Sequence, residues 1–390
     1  MKKLTLLTIL LTFGGCLWAQ TTWLGQTNNQ NYISTGMPIL LIAPDAVSSG
    51  MGDVGAATTP DAYSAHWNNA KFAFIEGAMG VSTTFTPWLH NLVGDMNLLY
   101  LGGYYRINPR STFAASITYF SLGNIDMMDV EGLKIMDLHP NEYALDATYA
   151  LKLSDNLSLG ATGRFVRSDL TNGQSINDGS GNTETHAANS LAADIGLYYQ
   201  RTVSKKEDIA LGAFISNLGA KLRYSEDTYN QEFMPANLRI GGRYTNHIDD
   251  YNKVSVMVDI NKLLVPTPHF RTYSSDSIQS LTDYNNIGVI AGVLQSFGDA
   301  PGGFNEELQE LQLSMGAEYW YAETFAVRAG YFFEHANKGG RQYATVGFGL
   351  RYNIFSFDFA YLIPTARLSN NPLANTIRIT LSMNLSPEDR

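Results

Sequence analysis

The chain has 390 residues, of which 45% are hydrophobic and only 16% are charged, and it contains 22 tyrosines, 19 phenylalanines and 35 glycines. Its formal net charge of −10 excludes the basic surface on which nucleic-acid binding depends. The single cysteine, Cys16, excludes a fold held together by intramolecular disulfides.

Residues 1–20 have the pattern of a secretory signal peptide. A basic start is followed by an apolar stretch and then by small residues, which predicts cleavage after Ala19 or Gln20. Lipid modification of Cys16 is the alternative, although TFGGC lacks the usual aliphatic residue three positions before the cysteine. Cleavage after Ala19 removes the only thiol, and it thereby excludes cysteine nucleophiles and Cys-ligated zinc.

The segment between the signal peptide and residue 75 has two parts of different composition. Residues 21–35 are rich in Asn and Gln and are predicted to be a flexible periplasmic segment, whereas 36–74 are rich in Gly and Ala. Within the latter, GMGDVG at 50–55 fits the spacing of a dinucleotide-binding fingerprint. No parallel βαβ unit follows it, so we exclude a nucleotide site. Small residues allow close backbone packing, which favours a compact hatch over residues 36–74.

From residue 75 to residue 390, apolar and polar residues alternate along the chain. In 143–151 the odd positions are apolar, whereas the even positions in and beside this run include Glu142, Asp146, Thr148 and Lys152. The last segment, 377–385, alternates in the same way. Runs of 9–13 residues suit tilted strands that cross the hydrocarbon layer, and aromatic residues recur at their ends. A soluble periplasmic all-β protein gives the same alternation, but usually in shorter strands. The pattern therefore predicts an all-β, antiparallel transmembrane β-barrel.

Fifteen stretches are candidate strands, and fourteen of them fit a barrel. The candidates are 77–86, 95–106, 110–121, 141–152, 157–169, 188–202, 207–218, 235–246, 252–264, 281–296, 310–321, 324–334, 341–352, 354–363 and 374–386. The stretch 281–296 alternates poorly, and removing it restores the alternation of short turns with long loops expected of bacterial barrels. Residues 265–309 then form one large extracellular loop, and both chain termini are predicted to be periplasmic.

The hatch segment resembles that of the FadL-like outer-membrane barrels. The matching residues are Gly50, Met51, Gly52, Gly55, Asp61, Asn68 and Ala70. Asn69 replaces the proline that is usual in this family, and 47–49 depart from its arginine-containing stretch. The resemblance implies a fourteen-stranded barrel with the hatch inside the lumen, in agreement with the strand count.

Four later stretches, 86–105, 297–310, 316–334 and 357–379, are most similar to the PorV (LptO) family of FadL-like barrels in the type IX secretion system. That resemblance implies a bacterial outer-membrane protein that binds cargo by its C-terminal signal domain. It also implies transfer of cargo from the SprA/Sov-type translocon to the PorU sortase and attachment complex, for cleavage and anchoring to lipopolysaccharide. The alternative function is a FadL-type channel for hydrophobic small molecules.

The predicted site is a partner-binding loop, with no catalytic, cofactor-binding or metal-binding residues. The seven histidines are scattered without metal-ligand spacing, so the chain is not expected to be an enzyme. The loop residues are Phe304, Glu306, Glu307, Leu308 and Leu311. Phe304, Leu308 and Leu311 are expected on one helical face, where they either meet a partner or pack the loop onto the barrel rim. Charged residues predicted to form a salt-bridged lumen are Arg164, Asp194, Arg239, Arg243, Asp259, Glu318, Arg328, Arg351, Asp358 and Arg378.

Overall fold

A computed structural model describes residues 32–89, 94–128, 132–174, 176–177, 182–225, 231–268, 284–365 and 376–385. The predicted signal peptide and most of the predicted flexible segment lie outside these residues.

The described residues form twenty strands, fourteen of which close into one barrel. In chain order the strands are β1 (Met79–Pro87), β2 (Asn97–Asn108), β3 (Ser111–Ser121), β4 (Ile125–Met128), β5 (Lys134–Leu138), β6 (Asn141–Lys152), β7 (Leu157–Asp169), β8 (Ile176–Asn177), β9 (Asn182–Thr183), β10 (Ala188–Ser204), β11 (Glu207–Gly219), β12 (Leu222–Arg223), β13 (Gln231–Glu232), β14 (Asn237–His247), β15 (Asn252–Leu263), β16 (Leu311–Tyr321), β17 (Phe325–Phe333), β18 (Gln342–Tyr352), β19 (Phe355–Pro364) and β20 (Ile377–Leu385).

The barrel is an up-and-down antiparallel sheet in which each strand pairs with the next barrel strand, and β1 pairs with β20 to close it. The six remaining strands form three small hairpins, β4–β5, β8–β9 and β12–β13, within the long loops. The prediction of a closed fourteen-stranded barrel is confirmed. The excluded stretch 281–296 contains a short helix instead of a barrel strand.

The outer wall of the barrel is apolar because alternate side chains of each strand point outward. In β6, Leu145 and Tyr149 are exposed, whereas their neighbours Asp146 and Thr148 are buried. A period of two places the apolar set on the lipid-facing side and the polar set in the lumen. No helix in the described parts of the chain is long and apolar enough to cross a membrane.

The hatch fills the lumen with short helices. They are η1 (Pro38–Leu41), α1 (Ala46–Ser49), α2 (Ser64–Trp67) and η2 (Asn69–Phe74). Helix α1 packs on β18, β19 and β20, whereas η2 packs on β3, β6, β7 and β10. The described part of the long loop between β15 and β16 contains the helices α3 (Val289–Gln295) and α4 (Phe304–Gln309). The hatch therefore touches opposite parts of the wall, and α3 and α4 lie at the end of the barrel with the long loops.

Candidate partner-binding surface and lumenal hatch

The GMG part of the hatch motif lies directly against the inner wall. Gly52 has a left-handed backbone, with φ +71°, and its N–H donates to Thr345 Oγ1 at 2.8 Å. A Cβ at this position would come within 2.5 Å of the Tyr331 backbone nitrogen. On the wall, a Cβ added to Gly330 would overlap the backbone of Met51. The glycines are thus required by the close approach of two backbones, and not by a phosphate.

The third glycine of the motif, Gly55, approaches an acidic side chain of the wall. The N–H groups of Gly55 and Ala56 donate to Asp259 Oδ2 at 2.6 and 2.8 Å. A side chain at Gly55 would also overlap the Trp67 ring, over which the Arg239 guanidinium stacks at 4.3 Å. The predicted interior charges Asp259 and Arg239 therefore hold the hatch in place.

The second part of the motif fixes η2 to the opposite wall. Asn68 Nδ2 donates to the carbonyl of Leu197 at 2.9 Å, and the carbonyl of Ala70 accepts from Ser158 Oγ at 2.7 Å. Asp61 acts inside the hatch, where it accepts a hydrogen bond from the backbone N–H two residues later. The structure thus places the seven motif residues within the hatch, where those with wall contacts bind it to two sides of the barrel.

Two buried ion clusters fill further parts of the lumen. Arg164 Nε lies 2.7 Å from Asp146 Oδ1, and its Nη2 lies 3.1 Å from Asp194 Oδ2. In the other cluster, Arg328 pairs with two carboxylates, Glu318 at 2.7 Å and Asp358 at 2.6 Å. Each arginine offers several fixed donors, so it can form ion pairs with two buried carboxylates at once. These clusters agree with the predicted salt-bridged lumen.

One predicted interior charge lies elsewhere. Arg351 is exposed and lies 3.5 Å from Glu323, in an ion pair at the short-turn end of the barrel. The prediction was wrong because alternation was extended to the last residues of β18, which project beyond the lumen.

The acidic side of α4 is held against the barrel rim by two buried lysines. Lys262 Nζ lies 3.0 Å from Glu307 Oε2 and 2.6 Å from Glu310 Oε2. Lys338 Nζ lies 2.7 Å from Glu306 Oε1 and 3.0 Å from Glu310 Oε1. The predicted partner contacts Glu306 and Glu307 are therefore anchors of the loop, because their charges are already neutralised within the chain.

The opposite side of α4 is apolar and faces solvent. Phe304 is 76% exposed and Leu308 is 50% exposed, and their spacing of four residues places them on one helical face. Leu311 is not part of this face, because the helix ends at Gln309 and Leu311 begins β16. The expectation of a three-residue face was wrong at this position. Phe304 and Leu308 do not pack the loop onto the rim.

Helix α3 adds a second exposed apolar face that sequence reasoning missed. Ile290 and Leu294 are 68% and 70% exposed and again stand four residues apart, and the nearby Phe297 is also exposed. The buried Gly292 faces Phe233. The signal in the sequence was the helical spacing of Ile290 and Leu294 in a stretch that alternates poorly. We call Ile290, Leu294, Phe297, Phe304 and Leu308 the helix-pair surface.

No group of three or more His, Cys, Asp or Glu side chains in the described ranges is arranged to hold a metal ion.

Comparisons with known proteins identify a family and a fold. A family model described as "Type IX secretion system protein PorV" matches residues 25–270, more than half of the chain. The match ends before 297–334, so the resemblance of that block remains a prediction. The comparison with curated proteins finds no match.

Among solved structures, the toluene transporter TodX of Pseudomonas putida is 10% identical with a TM-score of 0.52, over 90% of this chain and 98% of that one. The toluene transporter TbuX of Ralstonia pickettii is 12% identical with a TM-score of 0.47, over 87% and 98% of the two chains. At these identities the likeness to TodX shows a shared fold alone.

Proposed function

Because the chain belongs to the PorV family of type IX secretion system proteins, we propose that it is a non-enzymatic adaptor of this system in the outer membrane. It binds cargo proteins by their C-terminal signal domain and transfers them from the SprA/Sov-type translocon to the PorU sortase and attachment complex. The long-loop end of the barrel faces the cell exterior in this proposal, and both termini are periplasmic.

The observation that carries this proposal is the helix-pair surface. Exposed aliphatic and aromatic side chains on two helices of one long loop are typical of a protein–protein contact. The buried lysines hold the acidic side of α4 on the rim, so that Phe304 and Leu308 are presented outward in a fixed orientation. Pre-organised apolar anchors lower the entropy that binding costs.

A channel for hydrophobic molecules is the alternative, and the lumen gives it less support. The hatch is hydrogen-bonded to two sides of the wall, for example from Gly52 to Thr345 and from Asn68 to Leu197. The ion clusters of Arg164 and Arg328 lie inside the same barrel. An apolar solute gains nothing from buried ion pairs, whereas it binds well in a pocket lined by apolar side chains.

The test is a pair of substitutions on the helix-pair surface, Phe304→Ser with Leu308→Ser, in cells that carry only the variant gene. The matched control is Tyr251→Ser with Tyr352→Ser, which removes two exposed aromatic rings at the short-turn end. Three quantities are measured: barrel abundance in the outer membrane, the fraction of cargo with its signal domain removed, and cargo recovered with the purified barrel.

We expect the helix-pair variant to assemble normally while cargo accumulates uncleaved and its recovery with the barrel falls at least tenfold. The control is expected to process cargo normally. Normal cargo processing in the helix-pair variant would reject this surface as the docking site. Deletion of the whole gene decides the function class: surface delivery of processed cargo without the barrel would reject the adaptor, and a defect in fatty-acid uptake would support the channel.

A further inference from the structure

A polar pocket lies beside the small hairpin β12–β13, at the long-loop end of the barrel. Its volume is about 350 Å³, and its polar lining comes from Lys221, Arg223, Gln231 and Asn285. The hairpin forms one wall, and the chain from Asn285 to Val289, the first residue of α3, forms the other. The pocket shares no residue with the helix-pair surface or with the hatch.

Two cations converge on this pocket in a chain of net charge −10. Lys221 Nζ donates to the carbonyl of Asn285 at 2.9 Å and lies 4.0 Å from the centre of the Phe233 ring. Burial, together with the charge of Arg223, lowers the pKa of Lys221 to about 8. Neither cation has a carboxylate within ion-pair distance among the described residues, which do not include 226–230. This environment favours an added anion, because an anion would stabilise both charges.

The pocket borders the lipid-facing wall of the barrel. Ala220, which lines it, donates its N–H to the carbonyl of Leu191 at 3.2 Å. Leu191 is 70% exposed on the outer wall, and the next outward residue towards the loops, Asn189, is polar. The apolar belt therefore ends at Leu191, and the pocket lies at the height where lipid headgroups begin.

The hairpin also turns its cations away from the lumen. Leu222, between Lys221 and Arg223, is fully buried in a cluster with Met37 of the hatch. Since side chains alternate across a strand, Lys221 and Arg223 lie on the face opposite the hatch. The apolar residues Ile287 and Val289 complete the lining.

We propose that the Lys221–Arg223 pocket binds the phosphate group of a membrane lipid in the leaflet at the long-loop end. The guanidinium of Arg223 offers paired N–H donors that match phosphate oxygens, and the ammonium of Lys221 adds a point charge. Basic pockets beside the apolar belt are the usual sites of phosphorylated headgroups. The adjoining Ile287 and Val289 suit the apolar part of the same molecule, which a soluble phosphate lacks. The assignment does not depend on the adaptor function.

The test uses the full-length barrel in detergent with diphosphoryl lipid A as the probe, and native mass spectrometry counts the bound lipid. The variant is Lys221→Ala with Arg223→Ala. The control, Arg201→Ala with Lys205→Ala, removes two exposed cations at the short-turn end. Arg223→Ala alone is a second variant, since its exposed side chain has no hydrogen bond or ion pair within the described structure and its loss does not threaten folding.

We expect at least a tenfold loss of lipid A retention in the double variant, a smaller loss in Arg223→Ala and no change in the control. Lipid A without phosphates is expected to bind no better to the native barrel than to the double variant. Equal retention by the native barrel and both variants would overturn the proposal, as would equal binding of phosphate-free lipid. Displacement of lipid A by an equal concentration of inorganic pyrophosphate would assign the pocket to a soluble phosphate and would also overturn it.

Discussion

Glu310 is the residue on which the position of α4 depends most. Its carboxylate lies 2.6 Å from Lys262 Nζ and 3.0 Å from Lys338 Nζ, and it also accepts from the Thr267 hydroxyl at 2.8 Å. Glu310→Gln keeps the size of the side chain and removes its charge. We expect the substitution to loosen the loop that carries the helix-pair surface while the barrel itself stays intact.

The size of the effect follows from the contacts that remain. Removing one partner of a buried ion pair costs about 3–5 kcal/mol. Lys262 keeps Glu307 and Lys338 keeps Glu306 as second carboxylates, so the expected cost falls below that range, to about 2–3 kcal/mol. Because about 1.4 kcal/mol corresponds to a factor of ten, the open loop should become roughly 30 to 150 times more populated.

Limited proteolysis measures this population, since cleavage tracks the open form when opening is fast. Chymotrypsin suits the assay because Phe297 and Phe304 flank the loop between the two helices and neither is altered. The matched control is Glu323→Gln. Glu323 also faces two cations, Lys253 and Arg351, but it is exposed. Exposed pairs contribute about 0–1 kcal/mol, so the control should change the rate less than about fivefold.

Equal cleavage rates for Glu310→Gln and Glu323→Gln would refute the reasoning. The loop would then be held by contacts other than the lysine cluster, and the outward orientation of Phe304 and Leu308 would need another cause.

Two further substitutions test the lumen. In Gly330→Ala the added methyl group would overlap the backbone of Met51, so we expect the free energy of unfolding in urea to fall by at least about 1–3 kcal/mol, or the barrel to fail to assemble. The control is Gly163→Ala, where a Cβ meets nothing within 4 Å, and it should unfold like the native barrel. Equal unfolding midpoints for the two variants would show that the hatch moves to make room for the methyl group. Arg328→Met leaves two buried carboxylates unpaired, so we expect about 3–5 kcal/mol of destabilisation. Adding Glu318→Gln should restore part of this stability. A urea unfolding midpoint unchanged from the native barrel would contradict a tightly packed cluster.

The barrel could be predicted from the sequence because its main determinant is local. Alternation is visible strand by strand, and the predicted 141–152 and 157–169 match β6 and β7 residue for residue. Strand β20 was predicted from 374 and starts at Ile377. The exclusion of 281–296 from the barrel rested on the alternation of short turns with long loops, which is also visible in the sequence.

The roles of loop residues could not be predicted, because they depend on partners far away in the sequence. Glu306 and Glu307 were predicted to contact a partner protein, yet they pair within the chain with Lys338 and Lys262, which are 32 and 45 residues away. Helix α3 was missed because its apolar residues were interpreted as part of a candidate strand with poor alternation. The motif glycines were recognised by resemblance, whereas the reason for them lies in wall residues such as Gly330 that only the closed barrel brings near.

The contacts of the hatch also constrain the order in which the molecule is assembled. Tyr63 of the hatch bonds Thr84 of β1 at 2.6 Å, Thr84 bonds Thr380 of β20 at 2.7 Å, and Thr380 accepts from the N–H of Ala46 at 3.0 Å. This chain of hydrogen bonds runs from the hatch across the seam between the first and last strands and back. A segment that is synthesised before the barrel strands therefore supplies inner partners for the last of those strands, β20. We expect the seam to close around a hatch that is already in place, with the hatch acting as the template on which the barrel is completed.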